Sequence, residues 1–241
     1  DLSANNLGGD LPREWSTMKR MKSMSITRNK LTGPLPVEWS EWGEVEEIRL
    51  NWNQLDGQLP GKWSRLTTLQ NFAVAGNKLD GNLPSKWNAM TSMTRMELSN
   101  NDFTGRLPRS WSSMVQMRRF VAERNAFNRN LPAVWGSSWV NVEEIRIGHN
   151  NLEGDLPRFW NKLSSLETLE LADNKLDGRL PDIWSNMQSL VTIDLAQNRL
   201  AGNLPREWEN GMPNLRKIDL QKNEIRGDLQ LWQKRGVEVV V

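Results

Sequence analysis

The chain of 241 residues is predicted to be an α/β-type repeat solenoid, with a parallel β-sheet on one face and loops and short 3-10 or helical turns on the other. Two ladders and one local pattern predict it. Tryptophan recurs at Trp15, Trp39, Trp63, Trp87, Trp111, Trp135, Trp160, Trp184, Trp208 and Trp232, in steps of 24 except for 25 between Trp135 and Trp160. Asparagine keeps the same period at Asn5, Asn29, Asn53, Asn77, Asn101, Asn125, Asn150, Asn174, Asn198 and Asn223. Before each Asn, apolar and polar residues alternate, as in Leu169, Glu170 and Leu171, which is the period of a strand with one buried face. A strand that short cannot bury its apolar face alone, so successive copies must stack.

The cleanest copy runs from Leu166 through Leu169, Leu171, Asn174, Leu176, Gly178, Leu180-Pro181 and Trp184-Ser185. Its strand feeds an Asn expected to turn inward, because a buried amide needs backbone partners and a column of Asn supplies them repeat after repeat. Gly after N-x-L allows a tight bend, and Pro, from Pro12 and Pro36 onward, sets φ where the return leg begins. The return leg carries the Trp and, three or four residues later, Met18, Trp42, Leu66, Met90, Met114, Trp139, Leu163, Met187 or Met212. These slots are expected to be core, which assigns twelve of the thirteen Trp to packing. Trp52 alone lies off the framework, just before Asn53, on the strand face expected to meet solvent.

Residues 1–241 thus read as a single solenoid of about ten 24-residue repeats, the first and last incomplete. Asp1–Asn5 starts mid-strand. The last copy lacks Leu-Pro at Gly227–Gln230, and Val237–Val241 reads as an eleventh strand. Solenoids need polar capping repeats, so the apolar Val at the end implies that the natural chain continues or that something else covers this edge.

Written out, the repeat is L-x-x-L-x-L-x-x-N-x-L-x-G-x-L-P-x-x-W-S-x-M. It resembles the leucine-rich repeat family, in its plant-type class with L-x-G-x-(L/I)-P, over the whole chain. The resemblance implies a right-handed, curved horseshoe with the sheet on its concave face and ligands bound there. The L-P-x-x-W-S-x-M variant is similar to leucine-rich surface proteins of kinetoplastid parasites, and similar Trp variants occur in green algae. That implies adhesion or receptor roles, often with a C-terminal lipid anchor. The sequence departs from those relatives in having Asn-x-Leu where they often have Thr-x-Val, and in lacking capping Cys.

Composition narrows the chemistry. The 25% charged and 37% hydrophobic residues fit a globular chain, neither disordered nor membrane-spanning. A formal charge of +2 gives little drive toward nucleic acid or anionic lipid. No membrane insertion is expected of this segment, although an anchor outside it fits the resemblance. Zero Cys excludes thiolate catalysis, Cys-ligated zinc, iron–sulfur clusters and disulfides. His149 is the single His, with Arg124 and Asp173 as its expected column neighbours, and no Ser on a tight turn lies near it to complete a triad. The glycines recur singly, so no phosphate loop exists. Glu143, Glu144 and Glu170 could gather Ca²⁺, but pairing with neighbouring Arg is favoured. No catalytic residue, metal or cofactor is expected.

The expected site is the solvent face of the sheet. Basic residues gather on the fourth and fifth complete strands (Arg95, Arg118, Arg119, Arg124). Acidic ones gather on the next (Glu143, Glu144, Glu170, Asp173). Arg49, Glu97, Glu123, Arg146 and His149 complete the surface with Trp52. Arg118 beside Glu143 and Arg119 beside Glu144 are positioned to pair; the competing reading is a bipolar surface that orients a partner. Trp52, beside Arg49 and Asn51 and flanked by Ala73, Ala75 and Gly76, reads as an interface anchor or as a lid over the small residues. A non-enzymatic recognition module for a protein partner, at the cell surface or secreted, is the leading expectation. A scaffold subunit inside the cell is the alternative, since the chain has neither Cys nor an N-x-(S/T) sequon.

Overall fold

A computed structural model describes residues 1–227, 232 and 234–240. Strands Ser23–Ser25, Glu47–Arg49, Asn71–Ala73, Arg95–Glu97, Arg119–Val121, Glu144–Arg146, Thr168–Glu170, Thr192–Asp194, Lys217–Asp219 and Glu238–Val240 form one ten-stranded parallel sheet in chain order. Each residue pairs with its counterpart one repeat on, for example Ile145 with Leu169 and Leu169 with Ile193. The middle residue of each strand enters the core, from Ile48 through Ile218. Before the first of these strands, Leu2 and Ala4 donate N–H bonds to the carbonyls of Ser25 and Thr27, so the opening segment follows the sheet without completing a strand. The expected last strand forms at Glu238–Val240; Val241 lies outside the described residues, as does the Leu-Pro-less stretch at 228–230.

Nine of the Asn side chains bind as their column predicted. Asn174 is typical: its Nδ2 donates to the carbonyls of Ile147 in the preceding repeat (3.0 Å) and Leu171 in its own (3.0 Å), while its Oδ1 accepts from Leu152 N–H (2.9 Å). One amide thereby joins two repeats. Asn5 bonds Leu2 and Ser3 and is exposed.

Eight return legs make a five-residue 3-10 turn after Pro, as in Asp182–Asn186 after Pro181 at φ −70°. Ladder Trp stack one on the next from Trp15 to Trp111 and again at Trp184 and Trp208, with ring centroids 6.3 Å apart and 6° from parallel for Trp63 and Trp87. From Trp39 to Trp208 each indole N–H donates to the Pro carbonyl one repeat earlier, from Trp39 to Pro12 (3.0 Å) through Trp208 to Pro181 (2.8 Å). Trp42 and Trp139 fill the second slot as expected, stacked on Trp39 and Trp135 at 4.3 and 3.9 Å. Two return legs carry one extra residue, before Trp139 and before Met212, and their turn is longer: Trp139 and Met212 donate to the carbonyls four residues back, at Trp135 and Trp208, where the other copies bond three back.

Three expectations need correction. Met18 is 47% exposed and Trp15 only part-buried, where the later copies of both slots are buried between the repeats on either side. Ala73 and Val121, which strand alternation puts on the solvent face, are buried at 7% each, since short side chains are overshadowed by long ones in the adjacent columns. The legs after Asn were expected to be loops. Instead they pair in a second parallel ladder of six strands, Asp56–Gln58, Lys78–Asn82, Asp102–Gly105, Ala126–Arg129, Asn151–Asp155 and Lys175–Asp177, with a two-stranded pair near each end. Stacking brings identical backbones into register, and buried amide groups then pair whatever their side chains.

Candidate functional site

The solvent face of the ten-stranded sheet carries all the residues expected to form the site, and none of them is buried. The residue before each Asn leaves the strand in the left-handed region: Arg28, Trp52, Asn100, Arg124, His149, Asp173, Gln197 and Lys222 all have φ of 53° to 58°. Non-glycine residues pay for that conformation, and here the inter-repeat bonds of the following Asn over-determine it. The turn swings these side chains out at the edge of the sheet.

Charges on the strands alternate and interlock. Arg119 lies between Glu97 (3.8 Å) and Glu144 (3.1 Å), and Arg146 between Glu144 and Glu170 (3.1 Å). Arg118 pairs with Glu143 at 2.5 Å. Both cross-strand pairs read from the sequence form, in exposed or half-exposed settings where each contributes about 0.2–1 kcal/mol. Nδ1 of His149 lies 2.8 Å from Asp173 Oδ2. Arg49 turns to Glu47 on its own strand, 2.6 Å away. Arg95 and Arg124 make no ion pair among the described residues, so the basic half of the surface keeps free charge.

Acid accumulates beyond. Burial pushes the Glu170 carboxyl above its usual range against the opposing pull of Arg146, and Glu123, Asp194 and Glu144 push the same way. Asp194 is also raised, first by burial, with Asp219 adding to it; its bond from the Ala196 N–H and the charges of Lys217 and His149 oppose. A carboxyl with a raised folded pKa binds its proton more tightly in the native state. Its contribution to stability is therefore fully present below the unfolded pKa and is lost as pH rises through the folded one. Asp194→Asn is expected to stabilise the chain at pH 7 and to change nothing at pH 3, as read by melting temperature across that range. An equal effect at both pH values rejects the assignment.

At the other end of the face, Trp52 is 52% exposed and lies across Gly76, the one glycine in the left-handed column. A Cβ at Gly76 would meet indole Cδ2 at 2.8 Å, so the two positions are matched. The lid expectation is met in this respect, with Gly76 as the seat. The ring also borders a cleft of about 560 Å³ lined by Arg28, Arg49, Asn51, Asn71, Arg95 and Glu97. Asn51 ties its wall together, accepting from Ala75 N–H (2.7 Å) and donating to Glu97 (3.3 Å). Arg28, Asn51 and Asn71 were not among the predicted site residues. Register could have found them: Arg28 is one repeat before Trp52, and Asn71 one repeat after Glu47.

A family profile described as "Leucine rich repeat" matches residues 140–200, and another described as "Leucine Rich Repeat" matches residues 92–114. The solved leucine-rich repeat ectodomain of the Arabidopsis thaliana membrane receptor kinase GASSHO1/SCHENGEN3, in complex with CASPARIAN STRIP INTEGRITY FACTOR 2, is similar at 28% identity and TM-score 0.91. The chain folds as a leucine-rich repeat solenoid. The sheet's solvent face is accordingly its concave face. That similarity covers 95% of this chain and 27% of the receptor chain. The Arabidopsis receptor kinase HAESA, in complex with the peptide hormone IDA and the co-receptor SERK1, is similar at 26% identity and TM-score 0.93, over 98% of this chain and 39% of that one. A plant ice-binding protein shares the fold alone, at 22% identity and TM-score 0.77, over 99% of this chain and 78% of that one. No curated protein matches the sequence. The solenoid thus spans well under half the length of either receptor chain.

Proposed function

We propose that this solenoid is a non-enzymatic recognition module that binds a protein or peptide partner through its concave face, within a surface or secreted protein. The exposed Trp52, seated on Gly76 and bordering the cleft, carries the reading. A rigid aromatic ring flanked by Arg28, Arg49 and Arg95 has the make-up of an interface anchor, with large apolar area, little entropy to lose and charge at the rim. The similarity to receptor ectodomains solved with peptide ligands supports it, and the Trp variant of the repeat is in keeping with adhesion proteins of the kinetoplastid surface type. The free charge of Arg95 and Arg124 against the acidic region at Glu170, Asp173 and Asp194 supplies polarity for orienting a partner.

Trp52→Ala is expected to weaken partner binding by about 2 kcal/mol or more while leaving the melting temperature nearly unchanged. Calorimetric titration against a partner recovered from cell-surface cross-linking measures the first, and thermal denaturation the second. A stability loss with intact binding makes Trp52 a structural lid and removes the proposal's main support. The absence of Cys and of N-x-(S/T) sequons favours a second reading, a scaffold subunit inside the cell. Surface labelling of intact cells expressing the full-length protein separates the two.

A further inference from the structure

We infer that a second site, on the flank of the solenoid away from the concave face, binds a sulfated carbohydrate. The clue is a residue in the wrong conformation. Four residues after the ladder Asn, within or at the end of the second-ladder segments, Gly33, Gly57, Gly81, Gly105, Gly154, Gly178 and Gly202 have φ of 71° to 98°. The fifth complete repeat has Arg129 there, at φ +67°, the only non-glycine residue with positive φ outside the column before Asn among the described residues. Glycine adopts this conformation freely and an L-residue does not. Packing does not require the arginine, since its side chain is exposed and its single ion pair, to Glu153 at 3.6 Å, is exposed at both ends and contributes little. Strain held at one position of an otherwise uniform repeat points to use of the side chain.

That side chain lines a cleft of about 540 Å³ together with Arg106 and Arg109. Neither of those makes an ion pair among the described residues, and no carboxylate borders the cleft. Arg106 and Arg109, with no counter-charge, and Arg129, with only the exposed Glu153 beside it, attract an oxyanion, and their planar forks match the oxygens of a sulfate ester. Asn82 and Asn128 add amide groups, and Leu83 with Pro108 forms an apolar floor of the kind a pyranose ring covers. No aromatic ring borders the cleft, which leaves nucleic acid bases without a stacking platform. The lining residues come from three successive repeats, so the site suits an extended anionic chain better than a single ion.

The test is calorimetric titration of the whole chain with a heparin-derived hexasaccharide, its desulfated counterpart and inorganic sulfate. The hexasaccharide is expected to bind at least tenfold tighter than either of the others. Arg129→Gly restores the repeat's own glycine, so it should weaken hexasaccharide binding at least tenfold while the melting temperature holds or rises. Arg106→Ala with Arg109→Ala should weaken it as well, and Arg20→Ala, an exposed arginine elsewhere, should not. Wild-type affinity in Arg129→Gly, equal binding of the desulfated sugar or of sulfate alone, or an equal loss in Arg20→Ala overturns the inference.

Discussion

Replacing Trp184 with alanine is expected to lower the free energy of unfolding by about 3 to 5 kcal/mol, the range of a large core side chain truncated where its surroundings cannot collapse. Trp184 is fully buried, stacks on Trp208 with centroids 6.0 Å apart, and donates its indole N–H to the Pro157 carbonyl at 3.0 Å. The side chain thus fills its own repeat and fastens it to the previous one. Collapse into the cavity would shift that return leg against both neighbours, which the Asn column and the two ladders resist. Trp184→Phe separates the contributions: it keeps most of the apolar area and loses the hydrogen bond, so its loss should fall between wild type and alanine. Because a solenoid's stability is a sum over repeats and their interfaces, the loss should also appear as earlier proteolysis of the segment beyond Pro181. Urea unfolding followed by circular dichroism reads the free energy; a loss under about 1 kcal/mol would show that the Trp stack is not the main inter-repeat bond.

The Asn column should also respond. Asn174→Ala leaves the buried Leu152 N–H without its acceptor and takes one of two amide donors from each of the Ile147 and Leu171 carbonyls, which keep Asn150 and Asn198. A buried polar group left unpaired costs about 1–3 kcal/mol, so a loss of that order is expected. Asn174→Asp is the sharper probe. A carboxylate accepts from Leu152 N–H but faces two carbonyl oxygens where the amide donated, and its folded pKa must rise in response. By the sign rule for a raised carboxyl, its deficit relative to wild type should shrink as pH falls, because the protonated acid can donate again. A deficit unchanged between pH 7 and pH 4 would mean that the Nδ2 donations matter little.

Much of this was legible because each structural role recurs at one sequence position. The strand alternation, the inward Asn, the Pro turn and the two core slots were readable, and the structure places Trp42 and Trp139 where register put them. The second ladder was not readable. Segments such as Lys78-Leu79-Asp80-Gly81-Asn82 are rich in Gly, Asp and Asn, which are poor strand formers, and they pair only because identical copies lie on either side. The site was legible as a face and less so as a constellation: Trp52 stood out, while Arg28 and Asn71, which border its cleft, look ordinary until the columns are aligned.

The repeat period is enough to specify the fold and nearly the whole core, because hydrophobic alternation and a fixed spacing admit one way of stacking. It also names the cross-strand neighbours, and Arg118–Glu143 and Arg119–Glu144 follow from register. Stacking then settles what period cannot. It turns Arg49 back to Glu47, leaves Arg95 and Arg124 free, lays Trp52 on Gly76 and holds Arg129 in a glycine's conformation. Those outcomes depend on side-chain rotamers and on contacts between residues a full repeat apart, which become neighbours about 4.8 Å away only after the solenoid has formed.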